Sequence, residues 1–373
     1  MNILRGNKII SQLTVEFYRE KDKEKYNEFL FKNSESCIFH TLEWKNVLEK
    51  TFNYKPFYII IKDSNEDICA ALPLFFIKNL AGRRLESLPQ SLYCGVLGDR
   101  KYIELLIQKT FELKEDLNCD YILFRQTPQT SNVYDNLLTE LGMTKYENRL
   151  NQYLMIKNPE SLWKEIKSSN RRAIRKAKNN KVTVKHLTDE QEIEELYNLE
   201  LITRKRFGMP TPSIEFYKNI WNELYPKRYL DIFFAEKNEK PIASVVFFNF
   251  KNRMLYVYGD DTIEGRKLRA NNLLLWKTIE WSYKQECTIF DLGGTPGSDP
   301  KRIPKDFRGL HFFKLSFNAS SNPYMWYYFP KETSNIDSLI NPNFLNKIGG
   351  KCFNNLPIGI SKKIGMFIIK KFL

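Results

Sequence analysis

Strand-like runs of apolar residues mark the N-terminal half of the chain. Residues 57–62 and 68–77 are rich in Ile, Phe and Leu and are joined by the polar turn 63–67, which predicts a β-hairpin. Ahead of the hairpin, residues 39–52 repeat apolar side chains at helical spacing, with Trp44 on the apolar face. This half therefore combines helices with a sheet. Trp44 is predicted to be a core anchor.

The same order of elements returns in the C-terminal half. Residues 106–119 align without a gap with residues 274–287, and each segment predicts an amphipathic helix that enters a short apolar strand. A hairpin pattern like that of 58–76 also precedes the second copy, at 231–250. A repeat of this length indicates a duplicated domain, because solenoid repeats are much shorter. The chain of 373 residues, 42% of them hydrophobic, is long enough for two cores.

These patterns predict an α/β (α+β) fold of two tandem domains, each a mixed twisted sheet flanked by helices. The first domain is predicted to span 1–156 and the second 157–330, and 331–373 form a basic amphipathic tail. Between 356 and 373, apolar residues alternate with four lysines. Such a helix can lie in the headgroup region of an anionic membrane. Closure of the second core is the alternative role for the tail.

A strongly basic segment lies between the two predicted domains. Asn158 and Pro159 predict the start of a helix that runs to about residue 180, and eight Lys or Arg side chains fall between Lys164 and Lys181. A solvated basic face is the ordinary interpretation. Arginine also binds phosphate oxygens in a bidentate manner, so this helix is a candidate site for an anionic donor or acceptor. Its candidate binding residues are Arg171, Arg172, Arg175 and Lys176.

Two predicted strands of the second domain point to one cleft. The strand at 254–261 carries Tyr256 and Tyr258 two positions apart, so alternation places both rings on one face. A second strand is predicted at 288–292. We expect the ends of these strands to open onto the same cleft, with both tyrosines as candidate binding residues.

A glycine pair and a polar loop follow the strand at 288–292. Gly293 and Gly294 allow a ligand to approach the backbone closely. After the loop, residues 311–317 alternate like a strand, with Lys314 among aromatic residues. A lysine inside an apolar strand is costly unless its charge has a partner. Lys314 is therefore either an edge side chain that reaches solvent or a cation that faces the negative charge of a ligand.

These motifs resemble those of the Fem family of aminoacyl and peptidyl transferases, whose relatives have tandem GNAT-like domains. The C-terminal signature of that family is a strand ending in D-x-G-G, a variable loop, and then G-[LI]-x-x-F-K-x-x-F-[GN]. The basic interdomain run and an S-L-P-x-x-x-Y-x-G run in the first domain are also similar to the family's patterns. The final position, Asn318 here, is more often Gly in the family, so the turn after Phe317 is expected to differ. The matching residues are Asp291, Gly293, Gly294, Gly309, Leu310, Phe313, Lys314 and Phe317, with Pro89, Tyr93 and Gly95 in the first domain.

The resemblance implies an acyltransferase, with two possible donors. In the first interpretation, an aminoacyl group moves from aminoacyl-tRNA to an amine of a peptidoglycan-like or polysaccharide envelope precursor, without a covalent enzyme intermediate. In the second, an acyl-CoA donor acylates an envelope sugar or lipid. The segment 265–276 has no glycine after Gly265, which counts against an ordinary CoA pyrophosphate loop.

The resemblance also implies roles for individual residues. Lys314 would stabilise the oxyanion or an adjacent phosphate. Asp291 would orient the amine, take its proton or cap the glycine loop. No cofactor or metal is implied beyond the donor substrate. Further candidate binding residues are Phe313, Arg308, Trp44 and Tyr93.

Composition narrows the possible partners. The net charge of +14 implies an anionic partner, such as a nucleotide-linked or lipid-linked precursor, tRNA, or an anionic membrane surface. Six cysteines without a C-x-x-C pair argue against structural zinc and against a disulfide framework. This cysteine pattern suits the reduced cytosol, and with no run of 18 apolar residues no membrane-spanning helix is predicted. We expect a cytoplasmic protein, a monomer, that works at the inner face of the cell membrane. A non-catalytic basic protein that binds RNA or membrane is the third interpretation.

Overall fold

The computed structural model describes residues 13–80, 82–128, 134–297, 301, 303, 305–332 and 356–372. Within these residues the chain forms two compact units. The first extends to Asn148 and takes in a later segment that begins at Tyr324. The second extends from Arg149 to Pro323 and includes the C-terminal helix. The predicted α/β class with two units is confirmed.

The first unit contains a mixed sheet with the strand order β1-β2-β3-β4-β6-β13 in the described part of the chain, and β5 pairs with β3. The predicted hairpin is formed by β2 and β3, and only β4 and β6 pair in parallel among these strands. The strands are β1 (Thr14–Phe17), β2 (Lys55–Lys62), β3 (Ile68–Asn79), β4 (Gly82–Glu86), β5 (Leu97–Gly98), β6 (Tyr121–Arg125) and β13 (Ser320–Phe329).

Helices cover both faces of this sheet. Ile59 and Ile61 of β2 belong to the core beneath α3 and α4, whereas Tyr58 points to the opposite face and its ring packs against Tyr26 of α1. The helix α2 begins after Thr41, whose hydroxyl oxygen accepts a hydrogen bond from the Trp44 N–H and so caps the helix. The helices are α1 (Lys23–Lys32), α2 (Leu42–Phe52), α3 (Arg100–Asp116) and α4 (Asp135–Glu140).

The second unit contains a sheet with the strand order β7-β12-β11-β10-β9-β8. Its strands pair in an antiparallel manner except β11 and β12, which are parallel. The strands are β7 (Thr144–Met155), β8 (Thr183–His186), β9 (Leu230–Lys237), β10 (Lys240–Phe250), β11 (Arg253–Asp261) and β12 (Ile289–Pro296), and β7 belongs to this unit from Arg149 onward.

Two groups of helices enclose the second sheet. On one face, α5, α6 and α10 bury an apolar core that includes Phe247 and Phe290. The opposite face is covered by α7 and α8, and α12 packs on α7. The helices are α5 (Pro159–Glu165), α6 (Ser168–Asn179), α7 (Ile193–Arg206), α8 (Ile214–Leu224), α9 (Ile263–Leu268), α10 (Ala270–Lys284), α11 (Arg308–Leu315) and α12 (Ile358–Phe372).

The internal repeat corresponds to equivalent elements of the two units. In the first unit α3 leads into β6, which pairs in parallel with β4. In the second unit α10 leads into β12, which pairs in parallel with β11. The aligned segments 106–119 and 274–287 lie on these two helices and the turns that follow them. The duplication predicted from the sequence is therefore present in the fold.

The single helix predicted from Pro159 to residue 180 is wrong, because the chain forms two helices there. Ile166 is extended, with a ψ of 148°, and its side chain is buried, so the helix stops and restarts at Ser168. The Arg171 side chain donates hydrogen bonds to the carbonyl oxygens of Trp163, Lys164 and Ile166, which no longer have partners within a helix. Arg171 therefore stabilises the end of α5.

Candidate active site

A β-bulge in β12 shapes the candidate site. The pairing of β12 with β7 slips between Asp291 and Gly294, so β12 places one extra residue opposite its neighbour. Gly293 lies inside this bulge with a φ of 71°. That left-handed backbone conformation costs little for glycine and is unfavourable for residues with a Cβ. One member of the predicted glycine pair is thus required by the shape of the strand.

An opening between β11 and β12 begins beside the bulge. The two strands pair over Arg253–Leu255 and Ile289–Asp291, and no further pair joins them in the described part of the chain. Both strands nevertheless continue, β11 to Asp261 and β12 to Pro296. Parallel strands that separate in this way leave backbone N–H and C=O groups able to bind a ligand. The strand ends predicted to share a cleft therefore border this opening.

Lys314 reaches the bulge from a helix. The prediction of a strand at 311–317 is wrong, because residues 308–315 form α11. The Lys314 Nζ atom donates hydrogen bonds to the carbonyl oxygens of Gly293 at 3.3 Å and Gly294 at 3.0 Å, and the residue is only 3% exposed. Lys314 is therefore not an edge lysine that reaches solvent. Its amine is held by the carbonyl oxygens of the bulge.

Burial changes the protonation of Lys314. Loss of hydration lowers the pKa of Lys314 to about 7, with Asp291 opposing the change and Arg149 adding to it. At neutral pH the side chain therefore exchanges between amine and ammonium. A group with this pKa can accept and return a proton, which a permanent cation cannot do.

A polar chain of three side chains adjoins Lys314. The Thr295 hydroxyl donates to Gln152 Oε1 at 2.5 Å, and Gln152 Nε2 donates to His311 Nδ1 at 2.9 Å. With Nδ1 accepting, the proton of the neutral imidazole lies on Nε2, which makes no hydrogen bond within the described part of the chain. Burial and the neighbouring Lys314 lower the pKa of His311 and favour this neutral form. No role was predicted for His311 from the sequence, because its partner Gln152 lies on β7, far away along the chain.

Asp291 is bound by protein donors. Its carboxylate is fully buried and accepts hydrogen bonds from the Gly293 N–H at 2.8 Å, the Arg253 side chain at 2.7 Å and the Asn151 side chain at 3.4 Å. Of the roles considered from the sequence, this arrangement matches the cap of the glycine loop. Asp291 holds the bulge that presents two carbonyl oxygens to Lys314.

The two tyrosines of β11 point to opposite faces, so the prediction of a shared face is wrong. The pairing of β10 with β11 shifts between Val246 and Phe247, which places Tyr258 opposite Val246 and Tyr256 opposite Phe247. The extra residue on β11 reverses the alternation. Tyr256 packs against Phe247 in the core, whereas Tyr258 meets the aromatic rings of α8.

The end of β11 carries a buried acid pair that the sequence did not reveal. Burial and the Glu200 carboxylate raise the pKa of Asp260 well above its ordinary value. Burial also acts against ionised Glu200, but Arg204, whose Nε donates to it at 2.5 Å, outweighs this effect and lowers the pKa of Glu200. The pair therefore shares one proton, with Asp260 as the protonated member. Its members come from α7 and β11, which are distant in sequence.

The remaining candidate residues of the second unit lie at its surface or in its core. Arg308 is exposed, and its Nε donates to the Ile303 carbonyl oxygen at 3.3 Å. Phe313 packs against Phe317, with ring centroids 5.5 Å apart. On α6, the guanidinium of Arg175 lies 5.7 Å from the Trp163 ring. Four basic side chains on α6 are exposed, the candidates Arg172, Arg175 and Lys176 together with Lys178.

Trp44 and Tyr93 lie inside the first unit. Trp44 is fully buried and Tyr93 is 1% exposed, and the rings of both pack against Phe39. Neither ring offers a surface to a ligand in this conformation. The core role predicted for Trp44 agrees with its position, and Tyr93 has a similar one.

The described residues include no metal-binding cluster and no membrane-spanning helix. These residues contain no group of three or more His, Cys, Asp or Glu side chains placed to hold a metal ion. No helix among them is both long and apolar enough to cross a membrane.

Comparisons with known proteins agree with this architecture. Residues 164–302 match the family model for an acetyltransferase (GNAT) domain. A search of curated proteins gives no significant match. Among solved structures, FemX superposes with a TM-score of 0.68 at 14% identity, covering 84% of this chain and 96% of FemX.

Two further structures have the same fold. L-PGS from Bacillus licheniformis gives a TM-score of 0.59 at 12% identity, covering 88% of this chain and 98% of that one. A tandem GNAT protein from the clavulanic acid biosynthesis pathway gives 0.54 at 11% identity, covering 85% and 98%. The predicted Fem-type tandem GNAT-like fold is confirmed. The match to an acetyltransferase (GNAT) domain falls within the second unit.

Proposed function

We propose that the protein transfers an aminoacyl group from aminoacyl-tRNA to an amine of a cell-envelope precursor, by direct attack and without an acyl-enzyme. The observation that carries this proposal is Lys314, a buried lysine with a pKa of about 7 beside the opening between β11 and β12. Its support from comparison is the Fem-type fold. In the proposed setting the reaction takes place in the cytoplasm, at the inner face of the membrane.

Lys314 would move the proton in this reaction. As a neutral amine it has two N–H groups, which the carbonyl oxygens of Gly293 and Gly294 accept, and its lone pair remains available. The acceptor amine attacks the ester carbonyl, the new N–C bond forms, and Lys314 takes the proton released by nitrogen. The ester C–O bond then breaks, and the ammonium returns that proton to the leaving oxygen.

Two other groups would complete the site. The Nε2–H of His311, fixed by Gln152, can donate a hydrogen bond to the carbonyl oxygen on which negative charge develops. The exposed arginines of α6, Arg172 and Arg175, with Lys176, would hold phosphate groups of the donor or acceptor. In this proposal Arg171 has a structural role instead.

An acyl-CoA-dependent N-acyltransferase is the second candidate, and the match of residues 164–302 to an acetyltransferase domain favours it. The single glycine of the segment before α10, Gly265, lies within α9 and has a packing role, however. A Cβ on Gly265 would lie 2.3 Å from the Ile242 carbonyl oxygen, so this glycine lets α9 approach β10 closely. It is therefore explained without a bound pyrophosphate.

A direct assay separates the two candidates. Purified protein is incubated with radiolabelled aminoacyl-tRNA or acyl-CoA, together with nucleotide-linked and lipid-linked envelope precursors bearing free amines. We expect transfer from aminoacyl-tRNA, reduced about tenfold to a hundredfold in Lys314→Met. Exposed Lys240→Met provides a matched control that retains activity. Transfer from acyl-CoA alone would establish the second candidate, and no transfer from either donor would favour a non-catalytic basic protein.

A further inference from the structure

The C-terminal helix α12 is attached to the second unit by one side. Ser361, Gly365 and Ile369 follow each other at intervals of four residues and are all buried. A Cβ on Gly365 would lie 2.3 Å from the Thr211 carbonyl oxygen, so glycine allows the helix to lie directly on that backbone. The buried side of α12 therefore packs on the second unit, as one of the two roles considered for the tail requires. The other role, contact with a membrane, concerns the opposite side of the helix.

The opposite side of α12 is an apolar ridge bordered by lysines. Ile360 and Phe367 are two helical turns apart, and they are 44% and 60% exposed. Lys363, Lys370 and Lys371 are also exposed, and each lies one turn from Phe367. We call these five residues the outer face of α12. The described part of the helix contains no Asp or Glu.

We propose that the outer face of α12 binds an anionic lipid surface, with Phe367 and Ile360 entering the headgroup region and the lysines contacting lipid phosphates. A charged lysine side chain can keep its amine at phosphate level while its methylene groups follow the apolar residues inward. Attraction of the lysines alone would fit RNA as well. The apolar ridge of Ile360 and Phe367 favours lipid, because an RNA backbone has no apolar phase in which these two side chains could be buried.

This inference goes beyond the proposed function, since it concerns where the protein binds and not what it transfers. The contact proposed for α12 is peripheral: the helix would lie on the membrane surface. No described helix is long and apolar enough to span a bilayer. Membrane binding can be measured without any substrate. Its failure would therefore leave the proposed acyl transfer untouched.

Sedimentation with vesicles tests the proposal on the full-length protein. The probes are vesicles of phosphatidylcholine alone and of phosphatidylcholine with phosphatidylglycerol. We expect binding to the anionic vesicles only, weakened about tenfold by Phe367→Ser and about fivefold for each lysine removed in Lys370→Ala/Lys371→Ala.

Matched controls come from the first unit. Phe31→Ser removes a ring that is 56% exposed, and Lys21→Ala/Lys23→Ala removes the same two charges from an exposed segment. Both controls should bind as the wild type does. The proposal is overturned if anionic vesicles do not bind, if the α12 variants bind unchanged, or if the controls lose as much binding. Displacement of the protein from vesicles by tRNA, with loss of RNA binding in Phe367→Ser, would identify the outer face as an RNA site instead.

Discussion

Replacing Lys314 by Met should change how the stability of the protein depends on pH. In the folded chain burial lowers the pKa of Lys314 from 10.5 to about 7. Unfolding exposes the amine to water and restores its ordinary pKa. Between these two values the unfolded chain binds the proton that the folded chain has released. The free energy of unfolding of the wild type therefore rises with pH across this window.

The size of the effect follows from the two pKa values. Below pH 7 both states are protonated, and burying the ammonium costs about 5 kcal/mol, since each pKa unit corresponds to about 1.4 kcal/mol. Above pH 10.5 neither state is charged at this group, and the cost disappears. Between pH 7 and pH 9 the wild type should gain about 2 kcal/mol of unfolding free energy relative to Lys314→Met. The absolute difference at one pH is less informative, because the variant also loses two hydrogen bonds to the β12 bulge.

Urea unfolding at half-unit steps from pH 6 to pH 9.5 measures this difference. Lys240→Met, at an exposed site, removes a lysine of the same kind and should run parallel to the wild type over the range. Lys314→Arg keeps a permanent charge in the buried position, so it should be destabilised and should lack the gain above pH 7. Parallel curves for the wild type and Lys314→Met would refute the lowered pKa, and with it the proton-transfer role.

Three other substitutions test separate parts of the structure. Gln152→Leu removes the donor to His311 Nδ1, which stabilises the neutral imidazole, so the pKa of His311 should rise. NMR titration of the three histidines measures this change, and an unchanged pKa would contradict the contact. Gly365→Val should detach α12 from its backbone contact, seen as rapid proteolysis within the helix, and intact resistance would contradict that packing. Lys62→Met leaves Asp22 without its buried partner at 2.7 Å and should destabilise the first unit by about 3–5 kcal/mol in urea. Burial alone would raise the pKa of Asp22, but the contacts with Lys62 outweigh burial and lower it. The stability difference between the wild type and Lys62→Met should therefore be present at neutral pH and shrink as pH falls below 3.8.

The elements predicted correctly are those whose signals are local. Apolar residues at helical spacing within 39–52 predict α2, and the structure forms that helix at Leu42–Phe52. The repeated helix and strand were visible because duplication left two copies of one pattern, α3–β6 and α10–β12. Such features depend on neighbouring residues, so a single chain is enough to find them.

The errors occurred where distant contacts decide the structure. Alternation of His311, Phe313 and Phe317 resembles a strand, but in α11 His311 and Lys314 are one turn apart and both turn inward. Their partners, Gln152 and the carbonyl oxygens of the bulge, come from other strands. The opposite orientations of the β11 tyrosines depend on a bulge against β10, which strict alternation along one strand does not predict.

The bulge in β12 links the main features of the candidate site. Asp291 accepts the Gly293 N–H and so fixes the bulge, the positive φ of Gly293 permits it, and two carbonyl oxygens are thereby directed to Lys314. Carbonyl oxygens without formal charge can satisfy the N–H groups of the lysine while leaving its pKa low, whereas a directly paired carboxylate would raise that pKa. Asp291 exerts only a partial opposing effect, because its own carboxylate is engaged by Arg253. The D-x-G-G sequence thus positions a lysine that can exchange a proton near neutral pH, and the proposed acyl transfer uses that property.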